Sequence, residues 1–286
     1  MTAADRGVAG AREFAPAKVN LYLHLVGRRA DGYHLLDSLA VFPRLGDWVS
    51  IEPGQGLSLR LKGPFAGGLS AGADNLVLKA AAALAAHHGI AADASLILKK
   101  NLPAASGIGG GSSDAAAALR LLSSHWGVPV PDGLPLRLGA DVPVCLGAPA
   151  PQFMAGIGER LGAGPMLPPG WMVLVNPGLA VETAAVFGAI ANKDNPPAAP
   201  APARLDFAAL IGWLAHQRND MEAAARSLCP VIGEVLGALA DAPLARMSGS
   251  GATCFALHDT QAAAEAQAAR VSSARSEWWV AAAPLQ

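Results

Sequence analysis

The alternation of apolar and polar residues near the start of the chain predicts a half-buried β-strand. From residue 19 to residue 25 every second residue is valine or leucine, and Asn20, Tyr22 and His24 occupy the positions between them. This two-residue period is typical of a strand that buries one face. Lys18 shares the face of Asn20, so the strand could place both side chains in a cleft. From the spacing alone, a solvated lysine at a strand edge explains the pattern more simply.

A second pattern predicts a strand and a helix on either side of a glycine-rich segment. Residues 94–99 form a short apolar run that suits a buried strand. Residues 114–126 are rich in alanine and leucine and are followed by Gly127, so we expect a helix that ends there. The glycines between residues 107 and 111 therefore lie between a strand and the first turn of a helix.

The rest of the chain shows shorter patterns of both kinds. Strands are predicted at 34–42, 48–52, 57–62, 171–175, 254–257 and 278–283. Helices are predicted at 75–88, 183–190, 219–240 with a break near Pro230, and 260–274. The stretch at 147–151 is rich in alanine, proline and glycine, and it divides the chain into a predicted first domain, 1–150, and a second, 151–286. The proline-rich stretch at 195–203 is expected to be a loop or linker.

Composition narrows the possible functions. A length of 286 residues suits one large or two medium domains. The 21 basic and 22 acidic residues give a net charge of −1, which excludes a broad basic surface for nucleic acid. The three cysteines have no metal-binding spacing and suggest no disulfide framework, so we expect a reducing, cytoplasmic setting. The first twelve residues do not resemble a signal peptide, and no run of 18 apolar residues predicts a membrane span.

The glycine-rich segment is suited to binding an anion. The first amides of a helix have no partner inside the helix, and the helix dipole adds partial positive charge there. Glycine lets the backbone approach a ligand closely, and Ser112 and Ser113 follow with hydroxyl groups. Together these features predict a phosphate cradle. The alternative is a flexible loop with Ser112 as an ordinary N-cap.

The segment fits neither of the two best-known phosphate-binding patterns. A P-loop requires a lysine directly after its last glycine, where this chain has Ser112. The dinucleotide fingerprint requires a sixth-position glycine, and counting from Gly107 that position is again Ser112. A cation for the phosphates must therefore come from another part of the chain.

Three other polar stretches are individually modest. Asp141 lies between a glycine and a proline, where an aspartate is commonly a turn former or N-cap. Tyr33 and His34 follow the turn dipeptide Asp31-Gly32, and they could stack on and hydrogen-bond a base or simply pack. A second glycine stretch at 249–251 precedes a strand, and it could be a tight turn or could pack against the first glycine stretch.

The order of these stretches resembles the GHMP kinase superfamily, which includes galactokinase, homoserine kinase, mevalonate kinase and phosphomevalonate kinase. The resemblance runs from about Phe14 to the C-terminus. It is carried by Pro-Ala-Lys-Val-Asn-Leu from Pro16, Asp-Gly-Tyr-His from Asp31, Gly-Ile-Gly-Gly-Gly-Ser-Ser-Asp from Gly107, Gly-Ala-Asp-Val-Pro from Gly139, Asn-Asp-Met-Glu from Asn219 and Ser-Gly-Ser-Gly-Ala-Thr from Ser248.

This resemblance implies a two-domain α+β fold with the active site in the cleft between the domains. It implies transfer of the γ-phosphate of ATP to the 2-hydroxyl of 4-diphosphocytidyl-2-C-methyl-D-erythritol, a step of non-mevalonate isoprenoid precursor synthesis. ATP and Mg²⁺ are then the expected cofactors, and the sequence does not identify the Mg²⁺ ligands. The only expected partner is the small-molecule substrate, with no nucleic acid and no membrane, and the chain is expected to be a monomer or weak dimer.

Matching positions carry the implied roles. Lys18 and Asp141 match the catalytic pair, in which Asp141 accepts the hydroxyl proton and Lys18 favours its ionised form. Tyr33 and His34 match the residues that hold the cytosine, Asn20 lines the same site, and Phe187 is a weaker match for a second stacking face. The ATP-phosphate loop is matched by Pro103, Ala104, Ala105, Ser106, Gly107, Ile108, Gly109, Gly110, Gly111, Ser112 and Ser113. More glycine would be usual in the family at positions 104–106.

Other functions remain open at this stage. The chain could be another small-molecule kinase of the same superfamily, or a non-catalytic regulator that binds nucleotide on the same fold. A dinucleotide-dependent oxidoreductase is suggested by the strand, glycine loop and helix alone, and it leaves Lys18 and Asp141 without roles.

Overall fold

The alternating segment at residues 19–25 forms a strand, and the residues before it form a separate strand. A computed structural model describes residues 10–104 and 106–285. The described strands are β1 (Arg12–Pro16), β2 (Val19–Arg28), β3 (His34–Val41), β4 (Gly46–Glu52), β5 (Leu57–Lys62), β6 (Ala94–Lys99), β7 (Gln152–Gly156), β8 (Arg160–Ala163), β9 (Trp171–Asn176), β10 (Leu244–Met247), β11 (Cys254–His258) and β12 (Trp279–Pro284).

Each of the predicted helices is present, and three short helices that were not predicted are described as well. The described helices are α1 (Leu76–His88), α2 (Gly110–Trp126), α3 (Leu134–Leu138), α4 (Val142–Leu146), α5 (Thr183–Ala189), α6 (Phe207–Ala215), α7 (Glu222–Leu228), α8 (Val231–Ala238) and α9 (Gln261–Ala274). In the described parts of the chain, no helix has the length and apolar character needed to cross a membrane.

The chain divides into two units, each of which mixes helices with β-sheet, so the α+β class is confirmed. Unit 1 contains the residues up to Ala17 together with Gly46–Ala104 and Gly109–Leu146. Unit 2 contains Lys18–Leu45, residues 106–108 and the chain from Gly147 onward. The predicted boundary near residue 150 lies close to Gly147, but the units are interleaved in sequence rather than separated by one cut.

Unit 1 is a four-stranded sheet with the order β1-β4-β6-β5 and four helices. Its strands are antiparallel except β5 and β6, which are parallel and are connected through α1. The Asn75 side chain caps the start of α1 by accepting a hydrogen bond from the Val77 amide, and Gly89 ends the helix in the left-handed conformation. Both ends follow from ordinary capping chemistry.

Helix α2 starts four residues earlier than predicted. Gly109 is its N-cap, with φ of 63°, and Gly110 and Gly111 are its first residues. Ser112 therefore lies inside the first turn, and the alternative in which it is an ordinary N-cap is wrong. The predicted end is correct, since Gly127 follows the helix with φ of 66°.

Unit 2 contains two antiparallel four-stranded sheets, with the orders β2-β3-β7-β8 and β10-β11-β9-β12. Strands β7, β8 and β10 and helix α6 were not predicted. The helix expected at 219–240 is divided into α7 and α8, with Pro230 as the N-cap of the second, so the predicted break near Pro230 is confirmed. Helix α5 begins at Thr183 with Glu182 as its N-cap, and the Thr183 hydroxyl lies 2.9 Å from that of Ser250.

Candidate active site

The segment at 103–113, here called the phosphate loop, leads directly into the longest helix of unit 1. The N-cap residue of α2 is Gly109, which has no side chain, so the helix start has no side-chain cap. The macrodipole of this 17-residue helix places partial positive charge at that end. The hydroxyl of Ser113 is buried and has no hydrogen-bond partner. This end of α2 therefore has the features of an anion-binding helix terminus.

In unit 2, the phosphate loop packs against the second glycine stretch, which was one of the two possibilities for that stretch. The Ser106 carbonyl accepts hydrogen bonds from the Thr253 amide, at 3.2 Å, and from its hydroxyl, at 2.5 Å. Gly107 has φ of 76°, and a Cβ atom there would lie 2.2 Å from the carbonyl oxygen of Gly251. Only glycine can occupy this position without displacing the neighbouring backbone.

Strand β2 begins beside the same part of the loop. The Lys18 amide donates to the Ile108 carbonyl at 2.9 Å, and the Lys18 side chain is buried. The Asn20 amide donates to the Ser248 hydroxyl at 3.1 Å, and its side-chain nitrogen donates to Ser38 at 2.8 Å. The side-chain oxygen of Asn20 is buried without a hydrogen-bond partner, so it offers an acceptor. Unit 2 therefore brings Lys18, Asn20 and residues 106–108 of the loop together.

In unit 1, Asp141 directly precedes helix α4, near the start of α2. A Cβ atom on Gly139 would lie 3.9 Å from the Ser112 hydroxyl oxygen, so the turn before Asp141 passes close to the phosphate loop. The Asp141 carbonyl accepts a hydrogen bond from the Cys145 amide and so begins the helix. The Val142 amide donates to the Gly139 carbonyl at 3.1 Å, so the backbone is held by hydrogen bonds on both sides of Asp141.

The predicted base-binding residues lie together in unit 2. The rings of His34 and Phe187 are stacked, with centroids 4.8 Å apart and planes inclined by 10°. Phe187 was expected as a second stacking face for the base, and its ring lies against that of His34; its contact with the base stays a prediction. Tyr33 is 60% exposed beside them. Burial, and then the positive charges of Lys193 and Arg28, lower the pKa of His34, so its imidazole is neutral near pH 7.

The remaining positions of the phosphate loop are less informative. Pro103 is buried, Ala104 is exposed, and Ala105 lies outside the described residues. Gly110 and Gly111 belong to the first turn of α2. Within residues 10–104 and 106–285, no cluster of three or more His, Cys, Asp or Glu side chains could hold a metal ion.

Sequence reasoning missed a buried ionic cluster below the phosphate loop in unit 1. The Lys100 ammonium lies between the carboxylates of Asp47 and Asp114, at 2.8 Å from the latter, and all three side chains are buried. A Cβ atom on Gly110 would lie 3.4 Å from the Lys100 nitrogen, so the cluster supports the first turn of α2. The signal was present in the strand period, because Leu96, Leu98 and Lys100 fall on one face.

The two carboxylates of this cluster have different surroundings. One oxygen of Asp47 accepts the amides of Asn101 and Leu102, at 2.5 and 2.9 Å, and the other pairs with Lys100. One oxygen of Asp114 has no hydrogen-bond partner. Burial, opposed by Lys100 and reinforced by Asp47, raises the pKa of Asp114 to about 8. Asp114 is therefore the carboxyl that holds a proton when the cluster carries no net charge.

The substitution Asp114→Asn is expected to remove a pH dependence of stability. The ordinary pKa of this group is 3.8, so from there to about 8 the folded chain holds a proton that the unfolded chain has released. The free energy of unfolding then falls as the pH rises across that range, by at most ~1.4 kcal/mol per pH unit. Asparagine cannot lose a proton, so the variant should gain stability relative to wild type as the pH rises.

Urea unfolding between about pH 5 and pH 8 measures this difference. Asp132→Asn, at an exposed position between α2 and α3, is the control and should leave the pH dependence unchanged. Parallel stability curves for Asp114→Asn and wild type would show that Asp114 is ionised throughout this range.

Comparison with known proteins agrees with the geometry. Residues 75–154 match the family described as GHMP kinases N terminal domain, and residues 198–276 match GHMP kinases C terminal. The 4-diphosphocytidyl-2-C-methyl-D-erythritol kinase of Jannaschia sp. (strain CCS1) is 53% identical over 277 residues, covering 96% of this chain and 97% of that protein. The protein of the same name from Paracoccus denitrificans (strain Pd 1222) is 55% identical, covering 96% of each.

A solved structure extends this likeness to the fold. The crystal structure of 4-(cytidine 5'-diphospho)-2C-methyl-D-erythritol kinase matches 95% of this chain and 98% of its own, with a TM-score of 0.78 and 33% identity. Identity above half over nearly the whole length leaves no room for a different family. The chain therefore belongs to the GHMP kinases, which are ATP-dependent phosphotransferases, and within them to the 4-diphosphocytidyl-2-C-methyl-D-erythritol kinases.

Proposed function

We propose that this chain transfers the γ-phosphate of ATP to the 2-hydroxyl of 4-diphosphocytidyl-2-C-methyl-D-erythritol, in non-mevalonate isoprenoid precursor synthesis. The proposal is carried by the identity of more than half of the residues, over nearly the full length, to kinases of that name. The phosphate loop supports it independently. The start of α2 has no side-chain cap, and glycine occupies the position where the loop backbone approaches Gly251 closely, which suits the binding of a phosphate chain. The proposal includes action in the cytoplasm, as a monomer or weak dimer.

The phosphate loop fits the triphosphate of ATP on two observations. The first amides of α2 have no side-chain cap, and the buried Ser113 hydroxyl has no partner. Both are hydrogen-bond donors that a phosphate oxygen would satisfy. We infer that the amides of 109–111 and the hydroxyls of Ser112 and Ser113 hold the phosphates. When bound, ATP supplies the phosphoryl group that is transferred.

Mg²⁺ belongs to the proposal as the partner of those phosphates. In phosphoryl-transfer enzymes Mg²⁺ keeps several waters and is bound by one or two carboxylates together with substrate phosphates. Here the hydroxyl of Ser112 or Ser113 would contribute one oxygen, and phosphate oxygens and water would contribute most of the others. The ion offsets charge on the phosphate oxygens, and the chain contributes the positions of its amides and hydroxyls.

Lys18 and Asp141 are proposed as the catalytic pair. Phosphoryl transfer needs chiefly positioning and charge neutralisation, together with removal of the hydroxyl proton. Asp141 would accept that proton, and the Lys18 ammonium would favour the ionised carboxylate and polarise the hydroxyl. The backbone of Asp141 is hydrogen-bonded directly before α4, and the backbone of Lys18 is hydrogen-bonded directly before β2. Their pairing at the acceptor hydroxyl stays a prediction.

The cytidine part is proposed to bind at Tyr33 and His34. The exposed Tyr33 ring offers a face for the base, and the Nδ1 atom of His34 is without a hydrogen-bond partner. Because the imidazole is neutral, it can donate to or accept from the edge of cytosine. Phe187 would fix the plane of His34 by stacking on it. Asn20 would offer its unpartnered oxygen to the substrate.

Tyr33→Ala is expected to raise the KM for the cytidine substrate with little change in the KM for ATP. Stacking of a base on an aromatic ring contributes ~1–3 kcal/mol, which corresponds to about 5- to 150-fold. Since the side chain is exposed, folding should be unaffected. Tyr33→Phe keeps the ring and should keep the KM, as steady-state kinetics would show. Equal KM values for both variants and wild type would contradict base stacking at this position.

The reaction is tested by incubating the protein with γ-labelled ATP, Mg²⁺ and the cytidine substrate. Label in the substrate is the expected result. ATP binding without transfer would indicate a nucleotide-binding regulator, and transfer to mevalonate, homoserine or galactose instead would indicate another kinase of the superfamily. A change in NADH fluorescence on mixing would favour the oxidoreductase.

A further inference from the structure

The segment Asn-Asp-Met-Glu at 219–222 has so far no role in the reaction. Its backbone is paired with β2 in unit 2: the Leu23 amide donates to the Arg218 carbonyl at 3.0 Å, and the Asp220 amide donates to the Leu23 carbonyl at 2.9 Å. Asn219 lies between these two hydrogen bonds and is 8% exposed. The backbone hydrogen bonds therefore fix the position of Asn219 beside β2 independently of the contacts of its side chain.

The Asn219 side chain holds the glycine turn at residues 248–251. Its nitrogen donates to the carbonyls of Met247 and Gly249, both at 2.8 Å, and its oxygen accepts the Met221 amide at 3.0 Å. Two donors and one acceptor are used at once. Among side chains of this size, only the carboxamide of asparagine offers two N–H donors and an acceptor oxygen. No other residue could make all three hydrogen bonds at position 219.

The glycine turn also contacts the two parts of the proposed site that lie in unit 2, the start of β2 and the phosphate loop. The Ser248 hydroxyl accepts the Asn20 amide at 3.1 Å and donates to the Gly107 carbonyl at 3.4 Å. A Cβ atom on Gly249 would lie 3.1 Å from the same Gly107 oxygen. Ser248 thus bridges the start of β2, which Lys18 directly precedes, to the phosphate loop.

We propose that Asn219 is a positioning residue for phosphoryl transfer, because it sets the glycine turn and, through Ser248, the placement of Lys18 and Asn20 against residues 106–108. The inference rests on the roles proposed above for Lys18 and the phosphate loop. Asn219 itself touches no reacting atom. Its loss acts on the rate because an error of about 1 Å in placement can cost ~100-fold.

Asn219→Ala is expected to lower kcat about 10- to 100-fold while the KM values change by less than about threefold. Gln267→Ala is the matched control. Gln267 is an equally buried carboxamide in unit 2, which donates to Asp241 at 2.7 Å and lies 2.8 Å from the His258 imidazole. Both variants should lose thermal stability, but Gln267→Ala should keep the wild-type kcat. A wild-type kcat for Asn219→Ala as well would overturn the proposal.

Asn219→Asp adds a readout that a purely structural role would not move. A carboxyl buried against two carbonyl oxygens has a raised pKa, and only its protonated form can donate. The kcat of this variant should therefore fall as the pH rises through that pKa, whereas Asn219→Ala should show no such step. A pH profile parallel to that of Asn219→Ala counts against the inference.

Ser248→Ala tests the same bridge between β2 and the phosphate loop if the Asn219 variants do not fold. It removes one hydroxyl and should lower kcat about tenfold, and in combination with Asn219→Ala the two losses should not add, since they act through one turn. A wild-type kcat for Ser248→Ala would overturn the bridge. Failure of the proposed site itself is separate, because it would appear as normal turnover in Lys18→Ala.

Discussion

Asp141→Ala and Lys18→Ala are each expected to lower kcat by at least about 100-fold, because a positioned proton acceptor contributes ~10²–10⁴ in rate. Without Asp141 the acceptor hydroxyl has no local base, and without Lys18 the carboxylate loses the charge that favours its ionised form. ATP is held by the phosphate loop rather than by these side chains. The dissociation constant of a non-hydrolysable ATP analogue should therefore change only a few-fold.

Single-turnover kinetics and analogue binding separate these two effects. If the two groups act as a unit, the double variant should be about as slow as the slower single variant, since removal of either group disables the other. Lys99→Ala, at an exposed lysine of β6, is the control for loss of a positive charge. Near-normal turnover in either single variant would remove that residue from the proposed pair.

Gly107→Ala is expected to weaken ATP binding by at least about tenfold and to lower stability. The new methyl group would lie 2.2 Å from the Gly251 carbonyl oxygen, and the backbone has φ of 76°. The left-handed conformation alone costs a side chain ~1–2 kcal/mol. The collision comes in addition, and it can be relieved only if the phosphate loop moves away from the glycine turn.

Gly178→Ala is a matched control for this experiment. Gly178 has φ of 77°, and a Cβ atom there would meet nothing within 4 Å. It therefore carries the same backbone strain without the collision. Calorimetric titration with an ATP analogue and thermal unfolding should show a loss of stability in both variants and a loss of affinity only in Gly107→Ala. Equal affinities would mean that the loop tolerates the displacement.

Local patterns were sufficient to predict some of the elements that surround the site. Strand β6 has the predicted bounds because an apolar run between polar ends has few alternatives. Gly127 ends α2 as predicted because a left-handed residue after a helix favours glycine. Helices α3 and α4 are only five residues each, too short to show a helical period. Strand β8 has no buried face and therefore no alternation to detect.

Contacts between distant segments were not predictable in the same way. Lys100 lies 53 residues from Asp47 in sequence, and Asn219 lies 30 residues from Gly249. Nothing in a local period indicates which carboxylate or carbonyl a buried polar side chain will meet. The start of α2 was placed too late for a related reason, since glycines have low helix propensity and tertiary packing decided their conformation.

The interleaving of the two units has a consequence for synthesis on the ribosome. Unit 1 has all its residues once Leu146 has been made, so it can fold while the rest of the chain is still being translated. Strands β2 and β3 emerge much earlier than β7, which pairs with β3, and the segment at Asn219 that pairs with β2 emerges later still. During that interval the hairpin of β2 and β3 exposes unpaired strand edges, to which chaperones or other chains can bind.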